Sequence, residues 1–439
     1  MKKITVYADF DFLSTPLEIG ILGYEHVRGK DHFVFEYSRE WLKQHGGILL
    51  SGDLMNVPSL QHPRGSDNVF GFVKDSFPDR WGRLLLDRRE RLTAQSEGRP
   101  TRMLTNYDYL VGIEDFTRMG GIRYKEEDSD GYIRSSSAGL LPARTCSLAR
   151  ARTGRKNAST KYLVPPIESL RALCDACHEI ELAEERNELP EQRWLDQLID
   201  PGTSLGGARP KANVVDTDGT LYVAKFPSKK DLENTELIEH FSHQLAAKAG
   251  IHVAKTRTIR ISKDRDLLLS ERFDRTKDGR RIHFASAMSL LGLDDGAGSS
   301  TGNGYLDIVD FILRGCTNVR ENLRELYRRA AFNVMFGNTD DHFRNHGFLL
   351  TPKGWTLSPA YDINPGAKSH QCLLIDSYTE QSDINALLSA SENYMLERQE
   401  ASETIEEVRA VIKDWRKTAT ELQIPIKLLG AYSMRWDEL

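Results

Sequence analysis

Gly337-Asn338-Thr339-Asp340-Asp341-His342-Phe343-Arg344-Asn345 is the stretch on which the reading of this chain turns. It follows an apolar-periodic run, Ile312 to Phe336, that predicts a helix. It precedes Gly347-Phe348-Leu349-Leu350, which predicts a strand. Acids, amides and a histidine therefore gather where a helix gives way to extended chain. A loop held by rigid elements is a suitable place for a metal and a proton acceptor. The competing reading is an acidic turn or cap, because Asp and Asn favour turns through local hydrogen bonds. Partners elsewhere in the chain decide between them.

Asp340 and Asn345 are five apart, and Asp362 follows Asn345 by seventeen, within Pro359-Ala360-Tyr361-Asp362-Ile363-Asn364. In a kinase catalytic loop that spacing separates the carboxylate that accepts the hydroxyl proton from the asparagine that holds magnesium. A later carboxylate after an extended segment supplies a further oxygen ligand. Asp341 fits the spacing less well.

Upstream, Gly202-Thr203-Ser204-Leu205-Gly206-Gly207-Ala208-Arg209-Pro210-Lys211 is rich in backbone N–H groups able to turn toward phosphate. It lacks the lysine of a Walker A loop after Gly207, and alone it reads as a tight turn. Ala212–Val215 and Thr220–Pro227, joined by Asp216-Thr217-Asp218-Gly219, predict a hairpin. Lys225 on its second strand is placed to reach nucleotide phosphates; an edge lysine with its stem laid on apolar surface is the alternative. A helix follows from Asp231 to Ala249, stopped by Gly250. It carries Glu236 and Glu239 on one face, either able to pair with Lys225. Strands follow at Val253–Ile261 and Leu267–Phe273. Leu269-Ser270-Glu271-Arg272-Phe273-Asp274-Arg275 then stands where a two-lobed kinase would have its hinge. Each feature is weak alone; the order of glycine loop, strand lysine, helix glutamate, Asp-x-x-x-x-Asn and later Asp is the informative observation.

At 439 residues the chain is long enough for two or three domains. Its composition is 39% hydrophobic and 28% charged, which argues against overall disorder. The net charge of −5 does not suit general nucleic-acid binding through a basic surface. The beginning, Met1 to Asp9, turns acidic too early for a signal peptide, and no run of about 18 apolar residues predicts a membrane span. Five cysteines without a paired framework suit a reducing cytoplasm. Residues 1–40 predict strands. Phe70-Gly71-Phe72 predicts a strand-like piece leading into a helix, with Pro78 and Asp79 in its first turn. Arg118-Met119-Gly120-Gly121-Ile122-Arg123 is a second glycine-marked element. Arg144 to Lys161 is basic without acids or aromatics, so a solvated loop is expected more than a phosphate contact. Residues 167–198 predict helix interrupted near Pro190. Leu387 to Leu422 predicts amphipathic helix in more than one piece. Cys174-Asp175-Ala176-Cys177-His178 formally matches a haem attachment site, but a helical segment in a chain without an expected export signal argues against haem, and no second cysteine pair follows at zinc-site spacing.

Together these residues resemble the HipA family, the toxin kinases of bacterial toxin–antitoxin pairs, over nearly the whole chain. Phe70-Gly71-Phe72, Pro78-Asp79-Arg80-Trp81-Gly82-Arg83 and Arg118 to Arg123 are similar to the family's amino-terminal domain. Ser204 to Lys211, Glu271 to Arg275, Thr339 to Asn345 and Tyr361-Asp362 are similar to its kinase signatures. The resemblance implies an α+β, two-lobed, atypical protein-kinase-like fold, with a mixed N-terminal part and a mostly α-helical C-terminal lobe. Expected segments are 1–130, an amino-terminal β-rich domain; 131–198, linker and helices; 199–275, the nucleotide-binding lobe; and 276–439, the catalytic lobe. It implies a serine/threonine protein kinase using ATP and Mg2+, with Asp340 as base and Asn345 and Asp362 on the metal. Ser204, Gly206, Gly207, Lys225 and Glu239 would serve the ATP site, with Glu271 and Phe273 at the adenine hinge. Ser204 is the autophosphorylation candidate. The implied partners are a small DNA-binding antitoxin of the HipB type and a translation substrate such as an aminoacyl-tRNA synthetase. DNA would be met only through the antitoxin. The chain departs from the best-known members at Arg209-Pro210, where they have glutamine and glutamate, and at Asp341, where they have glycine. A small-molecule kinase and a catalytically silent partner-binding module are the alternatives.

Overall fold

The structure is a computed structural model and describes residues 1–134, 164–199 and 207–439. Ser204, Gly206 and the basic stretch Arg144 to Lys161 lie outside the described residues. The chain forms two compact units: residues 1–47, 54–232 and 259–283, and residues 48–53, 233–258 and 284–439.

The first unit opens with β1 (Lys2–Ala8), β2 (Leu17–Val27) and β3 (Lys30–Tyr37), as the β-branched and aromatic runs predict. With β4 (Ile122–Glu126) they make an antiparallel sheet of order β3-β2-β1-β4. Ile4, Val6 and Ala8 alternate inward along β1 and are fully buried. Phe35 packs on Phe70 and Phe72 with ring centroids 6.1 and 5.2 Å away. Contrary to the expected strand-like piece, Gly71–Lys74 is a short helix. Phe70 and Phe72 are both buried, which accounts for apolar residues spaced as in a strand. Asp79 caps the next helix, Arg80–Ser96, with its side chain accepting from Gly82 N–H.

The predicted hairpin is present: β5 (Lys211–Val215) and β6 (Leu221–Lys225) are joined by a turn with Gly219 at φ 89°. With β7 (Thr256–Ser262) and β8 (Arg265–Glu271) they form a sheet of order β5-β6-β8-β7. Helices Leu170–Glu185 and Gln192–Leu198 break around Pro190 as expected. The longer one packs Leu173, Cys174, Cys177 and Ile180 into one core with Ala212, Val214, Ala224, Leu267 and Leu269. Both cysteines of the haem-like match are thus core side chains. The His178 ring sits 3.2 Å from the Pro227 carbonyl.

The second unit holds helix Thr235–Lys248 and a three-stranded sheet of β9 (Phe284–Ser286), β10 (Gly347–Thr351) and β11 (Gly354–Leu357), ordered β11-β10-β9. The helix starts later than the expected Asp231, because Asp231 is a turn residue that accepts from Ser228 N–H at 2.8 Å. Gly250 follows at φ 81°. The expected single helix up to Phe336 is two, Tyr305–Gly315 and Val319–Phe336. Thr317 N–H leaves the helical pattern to donate to the Trp355 carbonyl at 2.8 Å, and Asn318 is left-handed at φ 49°. Near the C-terminus, helices Ile384–Ser389, Arg398–Lys413 and Trp415–Glu421 match the segmented amphipathic pattern. No helix among the described residues is long and apolar enough to cross a membrane.

Candidate active site

Helix Val319–Phe336 ends at Gly337, whose φ of 88° only glycine adopts readily. A Cβ there would lie 1.8 Å from Arg435 Nη1, the far end of a flexible side chain that would have to move aside, so the backbone conformation is what demands glycine. Trp436 stacks on Phe336 at 4.9 Å and donates from Nε1 to the Phe336 carbonyl at 2.8 Å. The helix end is thus fixed, and the chain leaves it as the loop Asn338 to His346.

The two adjacent aspartates of this loop part company. Asp340 is exposed, whereas Asp341 is 4% exposed. Asp341 Oδ2 accepts from Asn333 Nδ2 at 2.8 Å, lies 2.9 Å from His346 Nε2, and accepts a hydrogen bond from the Tyr305 hydroxyl. Asn338 Nδ2 donates to Asn333 Oδ1 at 3.1 Å and completes the network. Burial pushes the Asp341 carboxyl upward. The His346 ring and the bonds from His346 and Tyr305 outweigh that and hold it below the usual carboxylate range. Burial, then Asp341, pushes the Tyr305 phenol well above its ordinary value. Asp341 is therefore an ionised anchor joining two helices to the loop's far end.

With its neighbour pinned inward, Asp340 projects its carboxylate outward. Its carbonyl accepts from Asn345 Nδ2 at 3.1 Å and from His342 N–H at 3.1 Å, closing the loop on itself. The Cys372 thiol lies 3.8 Å from Asp340 Oδ1; burial, then the Asp340 charge, raises that thiol's pKa. Asp362 stands at φ 58°, and its neighbour Tyr361 donates its hydroxyl to the Arg344 carbonyl at 2.6 Å. Gly366 N–H donates to the Gly337 carbonyl at 2.7 Å. The structure thus brings together the loop of Asp340 and Asn345 with the segment of Asp362. Beneath them is a cavity whose lining includes Arg329, Asn333, Asp341, Asn345, His346 and Tyr361.

Asn345, Asp362 and Asn364, whose Nδ2 is 3.4 Å from Asp362 Oδ1, offer amide and carboxylate oxygens. Asn364 Oδ1 is buried without a hydrogen-bond partner among the described residues. Hard oxygen donors of this kind suit magnesium.

Of the remaining expected residues, Glu239 is buried on helix Thr235–Lys248, with His243 Nε2 3.8 Å from its carboxylate. Lys225 is the last residue of β6, opposite Lys211 on β5 and Leu268 on β8. Gly207 is exposed at φ 93°. Glu271 ends β8 and Phe273 follows it, both half-buried, while Arg272 and Asp274 between and after them are buried. Arg209, one of the departures, makes a two-pronged ion pair with Asp231 at 2.7 and 2.5 Å. Tyr305, Asn333 and His346 escaped the sequence reading. His346 follows the loop directly, so its position in the sequence is a local signal; Tyr305 and Asn333 carry none, since their partner Asp341 is 36 and 8 residues away.

The fold and this loop define an α+β protein of the two-lobed kinase-like class. Residues 203–415 match the HipA-like C-terminal domain and residues 16–106 the HipA N-terminal domain, so the chain belongs to the HipA family. A relative from Shewanella oneidensis, named serine/threonine-protein kinase toxin HipA, is 27% identical over 259 residues, covering 52% of this chain and 58% of that one. The Sinorhizobium fredii protein Y4mE is 30% identical over 176 residues, covering 36% of this chain and 41% of that one. The chain thus spans about half the length of these curated relatives in each match. The solved structure of Shewanella oneidensis HipA with HipB and its operator DNA shares the fold, with a TM-score of 0.61 at 16% identity, covering 99% of this chain and 95% of that one.

Proposed function

We propose that this chain is a serine/threonine protein kinase that transfers the γ-phosphoryl group of ATP to a protein hydroxyl. The observation that carries the proposal is the division of labour at the loop: an exposed Asp340 held in place by a buried, ionised Asp341. The Asp340 carboxylate accepts the proton of the substrate hydroxyl as that oxygen bonds to phosphorus, and the bond to the ADP oxygen breaks. Asn345 and Asp362 would hold magnesium, which when bound offsets phosphate charge. Lys225 and Gly207 serve the phosphates, and Glu271 and Phe273 the adenine. Ser204 and Gly206, outside the described residues, belong to the same loop by family resemblance, with Ser204 the autophosphorylation candidate. His342 orients the loop and does not transfer protons.

The family and the names of its relatives support a toxin role with a HipB-type antitoxin as partner, and DNA reached through it. An aminoacyl-tRNA synthetase is the substrate class that the resemblance favours, in the cytoplasm of a bacterium. Incubation of the chain with radiolabelled ATP, Mg2+ and bacterial extract tests the reading. Label on a protein serine or threonine, absent with Asp340→Asn, is expected. Label appearing only on a small metabolite would sink it.

A further inference from the structure

Two amino-terminal motifs, Pro78-Asp79-Arg80-Trp81-Gly82 and Arg118 to Arg123, have no part in that reaction. Within the first unit one reaches Lys211 on β5, the strand paired with that of Lys225, and the other reaches Asp274, just past the end of β8 and Glu271. Asp79 Oδ1 accepts from Gly82 N–H at 2.7 Å, while Oδ2 lies 3.2 Å from Lys211 Nζ. The two side chains are 0% and 4% exposed. Lys211 opens β5 opposite Lys225, and its Nζ is 2.9 Å from where a Cβ on Gly207 would stand. The Asp79 carboxylate therefore fixes the Lys211 cation that lies against Gly207.

The second contact is made at the end of β8. Asp274 accepts from Gly120 N–H at 2.7 Å and from Arg272 Nε and Nη2 at 2.9 and 2.7 Å, and Arg275 adds a further bond. Arg272 also donates to the Thr117 carbonyl at 2.7 Å, the Arg118 carbonyl at 3.1 Å and Asn213 Oδ1 on β5 at 2.8 Å. The Arg272 and Asp274 side chains are 1% and 0% exposed. Burial pushes the Asp274 carboxyl up; Arg272 and Arg275 overcome that and keep it ionised far below the usual range. Period-two alternation sends Arg272 and Asp274 into the glycine-marked loop and leaves Glu271 and Phe273 for the opposite side. The backbone from Glu271 to Asp274 cannot shift without stripping a buried charge of its partners.

Resting on the kinase reading above, we propose that these motifs are positioning elements for ATP: Asp79 sets Gly207, on the phosphate side, through Lys211, and the loop Thr117–Gly120 sets the adenine hinge through Arg272 and Asp274. The amino-terminal part is then a scaffold of nucleotide recognition and not only a neighbour of it. The full chain is tested as Asp274→Asn, Asp79→Asn and the milder Asn213→Ala. Calorimetry with Mg-ATP and Mg-GTP, KM and kcat, and melting temperature are read on each. Asp274→Asn weakens Mg-ATP at least tenfold and lowers any preference for ATP over GTP, raising KM more than it lowers kcat. Asp79→Asn weakens both nucleotides alike, because its target is the phosphate side. Asn213→Ala, which removes one acceptor of Arg272, follows Asp274→Asn at smaller size and keeps the test alive where the charge variants do not fold. A lowered melting temperature with nucleotide affinity unchanged would overturn the proposal, leaving a purely structural interface. Wild-type chain that binds no Mg-ATP would overturn the kinase reading along with it. Wild-type chain that binds and transfers, with unchanged affinity in every folded variant, would overturn only this inference.

Discussion

Asp340 and Asp341 are neighbours in the chain, yet one faces solvent and the other is 4% exposed among Tyr305, Asn333 and His346. Their substitutions should therefore fail in different assays. Asp340→Asn keeps the loop's backbone bonds and removes the base; phosphotransfer should fall by about 10²–10⁴-fold with Mg-ATP affinity retained. Rapid-quench kinetics beside calorimetry read the two quantities, and full activity in this variant would remove Asp340 from its role. Asp341→Ala strands three buried donors. It should destabilise the second unit by about 1–3 kcal/mol for each buried donor left without a partner. Urea unfolding reads this directly. A midpoint unchanged from wild type would show that the Asp341 network does not hold the loop. The sequence placed both acids correctly on a loop and ranked them by their spacing to Asn345. It could not show that Asp341 is an anchor, because the anchoring partners are brought in by two separate helices.

Helix ends illustrate what local sequence determines and what it leaves to packing. Thr105 and Asp108 form a capping box on helix Asn106–Gly112, and Arg102 grips Asp108 with two bonds at 2.7 and 2.8 Å. Burial pushes the Asp108 carboxyl up, but Arg102 and Thr105 prevail and bring it to about 2. A depressed native pKa means that the stabilisation is complete above the ordinary carboxylate value of about 3.9 and fades as pH falls through about 2. Asp108→Asn should therefore be less stable than wild type near neutrality, and the gap should close on acidification across that window. A gap independent of pH, measured by denaturant unfolding, would contradict this. Thr105→Ala should cost about 1 kcal/mol whatever the pH above that window. The hairpin at Asp216–Gly219, the Gly250 stop and the break near Pro190 were legible for the same reason: each depends on turn chemistry within a few residues. The split at Cys316–Asn318 was not, because Thr317 is drawn off by the distant Trp355 carbonyl. The late start of helix Thr235–Lys248 was also hidden, since Arg209 and Ser228 hold Asp231 out of it.

At the scale of the whole molecule, the compact units do not follow chain order. Ile48–Asp53 belongs with the helices of the second unit, where Trp355 Nε1 donates to the Leu49 carbonyl at 3.1 Å and Gly52 N–H to the Ser289 carbonyl at 2.9 Å. Helix Thr235–Lys248, with Glu239, also belongs to that unit, whereas Lys225 belongs to the other. The stabilities of the two units need not be equal. A ligand that binds only the native state stabilises it by RT ln(1 + [L]/Kd), about 2.7 kcal/mol at a hundredfold excess over Kd. Mg-ATP should accordingly raise the melting temperature of the wild type and of Asp340→Asn alike, because the base is not needed for binding. Lys225→Ala should show a clearly smaller rise. Chelating magnesium with EDTA should shrink the rise in all three, since Asn345 and Asp362 would then hold no metal to meet the phosphates. A full rise in Lys225→Ala would take that lysine out of the nucleotide site, and a rise indifferent to EDTA would take magnesium out of it.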